Sequence, residues 1–121
     1  MFRLEKQFRF EASHQLPNHD GKCARLHGHS WIGRAVVEGV ELHTTGPKVG
    51  MLIDYADINE PVKRLVEAYL DHYHLNESTG LVNPTSEELA LWIFNRLKPL
   101  ITGLSAIVIE ETCTSRCEYR P

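Results

Sequence analysis

Apolar and polar residues alternate in two separate runs along the first third of the chain. From Phe8 to His14 every second residue is apolar or a histidine, and this period of two is typical of a strand with one buried face. A second run, from His27 to Gly39, alternates in the same way. Its apolar side carries His27, His29, Trp31, Ala35 and Val37. The pattern predicts two strands joined by a loop that is rich in Pro, Asn, Asp and Gly.

The middle of the chain changes to a helical period. After Ala56, apolar residues recur three or four positions apart, as in a helix with one buried stripe. A second helical pattern begins at Thr85, which has capping-box spacing to Glu88, and ends at Pro99. The last apolar run starts at Leu104 and is rich in β-branched residues, so it predicts a further strand. The tail CTSRCEYRP either extends the sheet or lies over its edge.

This order of elements predicts the fold class. Strands, then two helices, then strands indicate an α+β fold, in which a four-stranded antiparallel sheet carries both helices on one face. The chain of 121 residues has the size of one domain, spanning residues 1–121. A small open sheet leaves edge strands unpaired, and such edges favour pairing with another chain. We therefore expect a homo-oligomer.

Charge and cysteine content narrow the classes of partner. With 13 Lys and Arg against 16 Asp and Glu, the formal net charge is −3, so the sequence lacks the broad basic surface typical of binding to nucleic acid or a membrane. No apolar run has the length of a signal peptide core or a transmembrane helix. Three cysteines, an odd number, favour free thiols in a reducing compartment, and we assign Cys113 and Cys117 no chemical role. We expect a cytoplasmic protein.

Histidines are concentrated at the start of the second predicted strand. His27 and His29 are two residues apart, so they share one face of that strand. The favoured third ligand is His14, at the end of the neighbouring first strand, and His19 in the loop could compete with it. Three neutral imidazoles with an open fourth position are typical of catalytic zinc sites. The same spacing also fits histidines that only form hydrogen bonds at a sheet surface.

Other polar residues suggest acid–base chemistry. Cys23 lies in the polar loop and is either a metal ligand or a general base, and we favour the base because three imidazoles are already available. Asp71 and His72 are adjacent at the end of the first helix, where they form either a proton relay or a helix cap. Glu110 and Glu111 end the last apolar strand, and we expect at least one to face a pocket and accept N–H groups of a ligand.

Six segments along the chain carry a resemblance to a known family. In order they are FEASHQLP, CARLHGHS, LIDYADI, LDHYHLN, NPTSEELA and EETCTSRC. Together they resemble the 6-pyruvoyl-tetrahydropterin synthase superfamily, from about Phe8 to the C-terminus. Three residues separate Cys23 from His27, a gap that is similar to the bacterial branch, which forms 6-carboxy-tetrahydropterin for queuosine (7-deazaguanine) biosynthesis.

The resemblance implies a fold, an assembly and a reaction. The fold would be a tunnelling fold, in which sheets of several subunits join into a barrel, with a hexamer favoured and active sites at subunit interfaces. The reaction would be that of a carbon–carbon lyase, converting 7,8-dihydroneopterin triphosphate to 6-carboxy-5,6,7,8-tetrahydropterin with release of acetaldehyde and triphosphate. Two alternatives stay open: a 6-pyruvoyl-tetrahydropterin synthase, which eliminates triphosphate, and a non-catalytic zinc- or pterin-binding oligomer.

The resemblance also implies a metal site and a base beside it. By motif position, His14, His27 and His29 would be the ligands of a Zn²⁺ cofactor. The thiolate of Cys23 would then take a proton from a substrate that the zinc polarises as a Lewis acid. No glycine-rich dinucleotide motif is present, as expected for an internal redox reaction without nicotinamide.

Five further residues receive roles by the same matching of motifs. Asp71 and His72 would relay a proton to the opposite side of the substrate. Glu111 would grip the pterin ring and belong to the catalytic set. Thr85 and Ser86 would assist substrate binding from the neighbouring subunit.

Overall fold

The structure, a computed structural model, describes residues 1–121 as one five-stranded sheet with helices on one face. The strands are β1 (Phe2–His14), β2 (His27–Gly39), β3 (Tyr73–His74), β4 (Leu104–Thr112) and β5 (Ser115–Tyr119). The helices are α1 (Tyr55–Leu65), α2 (Leu75–Ser78) and α3 (Ser86–Leu97). A 3₁₀ turn at Lys22–Ala24 precedes β2, and a π-helical turn at Val66–Leu70 extends α1.

The predicted alternation of β1 and β2 is present. The two strands pair antiparallel over their whole length, and Phe10 lies opposite Trp31. Both rings face the helices and are almost fully buried, with ring centroids 5.8 Å apart. Trp31 Nε1 donates a hydrogen bond to the carbonyl of Ala12 at 3.2 Å, so its only polar group is satisfied inside the core. The apolar side of the pair therefore holds the sheet against the helices.

The strand order is β3-β1-β2-β4-β5. The α+β class with helices on one face is confirmed, but the sheet has five strands and not four. The additional strand is β3, which pairs parallel to β1 through Ala12 with Tyr73 and Ser13 with His74. Two residues are too few to give a period along the sequence, so hydrophobic patterning could not predict this strand.

The predicted helices are present with their caps. Thr85 Oγ1 accepts from the N–H of Glu88 at 3.1 Å, as expected for an N-cap. The reciprocal half of the capping box is absent because the N–H of Thr85 donates to the carbonyl of Asn83 instead. Helix α1 buries Ile58 and Val62 against the sheet. None of the helices has the length and apolar character that crossing a bilayer requires.

Gly33 lies where the sheet leaves no room for a side chain. A Cβ atom there would come 2.1 Å from Cζ of Phe8, well inside van der Waals contact. We predict that Gly33→Ala lowers the free energy of unfolding by about 1–3 kcal/mol, since the Phe8 ring must leave its packed position. Urea unfolding followed by circular dichroism measures the change. Gly28→Ala is the control, because its Cβ would lie 3.5 Å from the nearest atom; equal losses in both variants would contradict the explanation.

Candidate metal centre and active site

The register of β1 and β2 brings three histidines together at one end of the sheet. His14 pairs with His27, and Ala12 pairs with His29. The ring centroid of His14 lies 4.5 Å from that of His27 and 5.1 Å from that of His29. The ligating atoms of these three histidines and of Glu111 all lie within 4.8 Å of one another. This cluster could hold a metal ion.

Backbone carbonyls orient two of the rings. His14 Nδ1 lies 2.8 Å from the carbonyl oxygen of Pro84, and His27 Nδ1 lies 2.7 Å from that of Arg25. A carbonyl oxygen can only accept, so each Nδ1 carries the proton. In a neutral ring this leaves the lone pair on Nε2, the atom of His14 that faces Glu111. Carbonyls that fix the tautomer in this way are the usual outer partners of metal-binding histidines.

The Nε2 atoms of His14 and His29 are buried and have no hydrogen-bond partner. Glu111 Oε1 lies 3.2 Å and 3.1 Å from them, a contact that would be an ion pair only if the rings were protonated. Burial lowers the pKa of both imidazoles below the ordinary histidine value and favours the neutral form that binds metals. Unpaired buried lone pairs that converge on one point fit a divalent cation with imidazole ligands.

Trp31 forms a wall behind these rings. Its ring lies edge-on to His14 and His29, with centroids 5.1 Å and 5.2 Å away. Because Trp31 is 1% exposed, it covers this side of the two rings with an apolar surface. The apolar wall adds to the desolvation that keeps the imidazoles neutral.

The structure brings Cys23 to the histidine cluster. Cys23 belongs to the 3₁₀ turn and is half-buried, and its backbone carbonyl accepts a hydrogen bond from the N–H of Leu16 at 2.9 Å. It lines a cavity of about 510 Å³ together with His27, His29 and Glu111. A cavity of this size is typical of sites for small molecules. Thiol, imidazoles and carboxylate therefore face one space.

Glu110 and Glu111 face different surroundings. Glu110 Oε2 pairs with Arg34 Nη1 at 3.0 Å, whereas Glu111 reaches the histidines. The expectation that one of the two carboxylates faces a pocket agrees with this arrangement. The sequence and the resemblance gave Glu111 a catalytic and a substrate-binding role, but its direct contact with the histidine rings was not predicted. No local pattern signals that contact, because β1, β2 and β4 are distant in sequence.

His72 lines a different cavity, and Asp71 contacts the His72 ring. Asp71 Oδ1 accepts from the N–H of Glu11 at 2.9 Å, and His72 Nδ1 lies 2.9 Å from Asp71 Oδ2. His72 has a φ of 65°, rare for a residue other than glycine, and its side chain is 79% exposed. His72 lines a cavity of about 470 Å³ that shares only Gly28 and His29 with the cavity of Cys23. Within one chain, the pair does not meet the thiol.

Three further candidates lie away from the histidine cluster. Thr85 caps α3, and Ser86 Oγ donates to Glu87 Oε1 at 2.8 Å. Neither residue lines the cavity of Cys23. His19 Nδ1 accepts from the N–H of Gly21 at 2.8 Å, so His14 and not His19 joins the cluster. Sequence reasoning missed the carbonyl of Pro84, since a backbone acceptor has no signature in the side-chain pattern.

Comparisons with known proteins place this arrangement in a family. The family model described as 6-pyruvoyl tetrahydropterin synthase matches residues 3–121. A Synechocystis sp. protein named 6-carboxy-5,6,7,8-tetrahydropterin synthase is 48% identical over 120 residues, which cover 98% of this chain and 93% of that protein. A Haemophilus influenzae protein of the same name is 34% identical over 141 residues, with 99% of each covered. The structure of Caenorhabditis elegans 6-pyruvoyl tetrahydropterin synthase has a TM-score of 0.84 at 25% identity and covers 99% of this chain and 95% of that one.

These findings decide the class of the protein. The sheet, the helices on one face and the structural neighbour confirm the predicted tunnelling fold. The chain belongs to the 6-pyruvoyl tetrahydropterin synthase family. The prediction that it is an enzyme, a lyase of this family, is confirmed by the same relatives.

The hydrogen bonds of the Asp71 carboxylate should make the free energy of unfolding depend on pH in the acid range. The N–H of Glu11, followed by His72, holds the pKa of Asp71 below its usual range. The stabilisation is therefore present above the ordinary aspartate pKa of about 3.9 and is lost as the pH falls through the lower folded value. We expect Asp71→Asn to be less stable than the parent at neutral pH, with the gap closing in acid. Urea unfolding across the pH range measures this.

The matched control for this titration is Asp20→Asn. Asp20 is fully exposed in the loop, so its replacement should leave the pH profile of the parent unchanged. A gap between Asp71→Asn and the parent that stays constant from neutral pH to strong acid would contradict the assignment.

Proposed function

We propose that the chain converts 7,8-dihydroneopterin triphosphate to 6-carboxy-5,6,7,8-tetrahydropterin with release of acetaldehyde and triphosphate. The observation that carries the proposal is the shared cavity of Cys23, His27, His29 and Glu111. The names of the Synechocystis and Haemophilus influenzae relatives support the same reaction. We place it in queuosine (7-deazaguanine) biosynthesis in the cytoplasm, with residues 1–121 acting as one domain; three free thiols fit such a compartment.

Zn²⁺ is the proposed cofactor, held by His14, His27 and His29. The support is chemical: imidazole nitrogens with fixed tautomers and unpaired lone pairs suit this ion. When bound, the metal would act as a Lewis acid toward hydroxyl oxygens of the substrate side chain. The residues around it supply binding, orientation and proton transfer.

Cys23 is the proposed base and Glu111 the proposed anchor of the pterin. The thiol faces the same cavity as the rings, so a substrate carbon held near the histidines lies within its reach. Glu111 is 29% exposed at the edge of this cavity. Its carboxylate can accept N–H groups of a pterin ring, which fixes the ring while the side chain extends toward the histidines.

Asp71 and His72 are the proposed relay for a neighbouring subunit. The exposed imidazole lies outside the cavity of its own Cys23, so it can serve a thiol only across an interface. We therefore propose a homo-oligomer, a hexamer by family resemblance, in which each active site combines Cys23 of one copy with His72 of the next. Thr85 and Ser86 are proposed to contact substrate across the same kind of interface; the Thr85 hydroxyl accepts within its own helix and keeps its proton to donate.

The reaction is tested by identifying the products. Pure protein incubated with 7,8-dihydroneopterin triphosphate is expected to release acetaldehyde and triphosphate and to leave the 6-carboxy product. A product that keeps the three-carbon side chain would identify the pyruvoyl-forming reaction and contradict the proposal. The absence of turnover in zinc-loaded protein would favour a binding oligomer.

Two substitutions separate the base from the metal ligands. We predict that Cys23→Ala keeps its zinc and loses about 10²–10⁴ in kcat, the usual contribution of a positioned general base. His27→Ala should lose zinc and activity together. Metal analysis and steady-state kinetics measure both effects. Cys113→Ala is the control, because this exposed thiol lies in the turn between β4 and β5; unchanged turnover in Cys23→Ala would refute the base assignment.

A mixing experiment tests the shared site. Cys23→Ala and His72→Ala oligomers are each expected to be nearly inactive. After dissociation and random reassembly together, about a quarter of the sites should combine an intact thiol with an intact imidazole from the neighbouring copy, so activity returns. If the mixture stays as inactive as its parts while reassembly is complete, the thiol and the relay do not meet across an interface.

A further inference from the structure

Asn76 ties together two segments that hold His14. Its Oδ1 accepts from the N–H of Gln15 at 3.0 Å, and its Nδ2 donates to the carbonyls of Gln15 at 2.8 Å and Val82 at 3.1 Å. Gln15 directly follows His14 in the chain. Val82 lies two residues before Pro84, whose carbonyl accepts from His14 Nδ1 at 2.8 Å. One side chain therefore joins the strand end that carries the imidazole to the loop that orients it.

Other contacts also hold this loop, among them the burial of Pro84 and the bond from Asn83 Nδ2 to Asn18 Oδ1. Asn76, however, is the side chain that bonds both to the loop and to Gln15. Residues 80–85 form no helix or strand. Proline has no N–H, so Pro84 cannot anchor itself to a neighbour by donating. Asn76 itself is held firmly, since it belongs to α2, where the adjacent Leu75 is fully buried in the core. The Asn76 side chain therefore links the loop to a helix that packs in the core.

We propose that Asn76 is a positioning residue for His14, acting through Gln15 and the Pro84 carbonyl. The inference rests on the proposed metal site. Asn76 sets the direction in which Nε2 of His14 points, and it contacts neither metal nor substrate. Metal sites require their ligands to be held within about 0.5 Å of the productive geometry, and the bonds of Asn76 restrain the two segments that meet at His14.

The test is the affinity for Zn²⁺, measured by competition with a chromophoric chelator. Asn76→Ala is expected to bind Zn²⁺ about tenfold more weakly than the parent, the loss typical of removing an outer partner of a metal ligand. Asn83→Ala is the matched control. Asn83 lies in the same loop and its Nδ2 donates to Asn18 Oδ1 at 3.1 Å, an exposed contact away from His14. This control should keep the affinity of the parent.

Loss of folding and loss of positioning are separated by two further variants. Ile107→Val trims a fully buried residue of β4, lowers stability and should leave zinc affinity unchanged. Asn76→Asp keeps an acceptor for the N–H of Gln15 but loses both donors, so it should also bind zinc more weakly. Absorption of the Co²⁺-substituted proteins reports ligand geometry directly and should change in both Asn76 variants and in neither control.

Three outcomes would overturn the inference. If both Asn76 variants keep the zinc affinity and the Co²⁺ absorption of the parent, the Asn76 side chain does not position His14. An equal loss of affinity in Ile107→Val would reduce the effect to general stability. A parent chain that binds no Zn²⁺ would overturn the proposed metal site together with this inference. The first two outcomes would overturn the inference alone, because in them the parent still binds Zn²⁺.

Discussion

The pairing of His14 with His27 across β1 and β2 is the constraint on which the rest of the site depends. Side chains alternate between the two faces of a strand, so a shift of one residue would turn every histidine of one strand to the opposite face. Phe10 and Trp31 lie on the same face, four residues along each strand from His14 and His27. Their stacked rings oppose such a shift because it would expose one of them to solvent. The hydrophobic core thus fixes the register that assembles the polar cluster.

Buried imidazoles without ligands are costly unless their polar atoms are satisfied. The carbonyls of Pro84 and Arg25 satisfy Nδ1 of His14 and of His27, while Nε2 of His14 and of His29 stays unpaired beside Glu111. An arrangement of this kind makes sense if a cation completes it. Glu111 contacts the rings and also lines the cavity of Cys23, so in the proposed function it lies between the metal and the substrate. The proposed chemistry then needs only the Cys23 thiol as a base and the proton relay of Asp71 and His72 from the next subunit.

Local patterning predicted the strands, the two longer helices and the shared face of His27 and His29, since these follow from periods of two and 3.6 residues. It favoured His14 over His19 as the third histidine, but it could not fix that choice, because the position of His19 depends on how a loop folds back. It also missed β3, which is stabilised by β1 and has no period of its own. The resemblance supplied roles for Asp71 and His72, but their separation from Cys23 is a three-dimensional fact that sequence order cannot give.

The most direct test of the central claim is anomalous X-ray diffraction at the zinc edge, from crystals grown with stoichiometric Zn²⁺. The account predicts one strong peak per chain, at a bonding distance of about 2.0–2.1 Å from Nε2 of His14, His27 and His29, with Pro84 still accepting from His14 Nδ1. A peak bound to other residues, or no peak at these rings in protein that retains its fold, would contradict it.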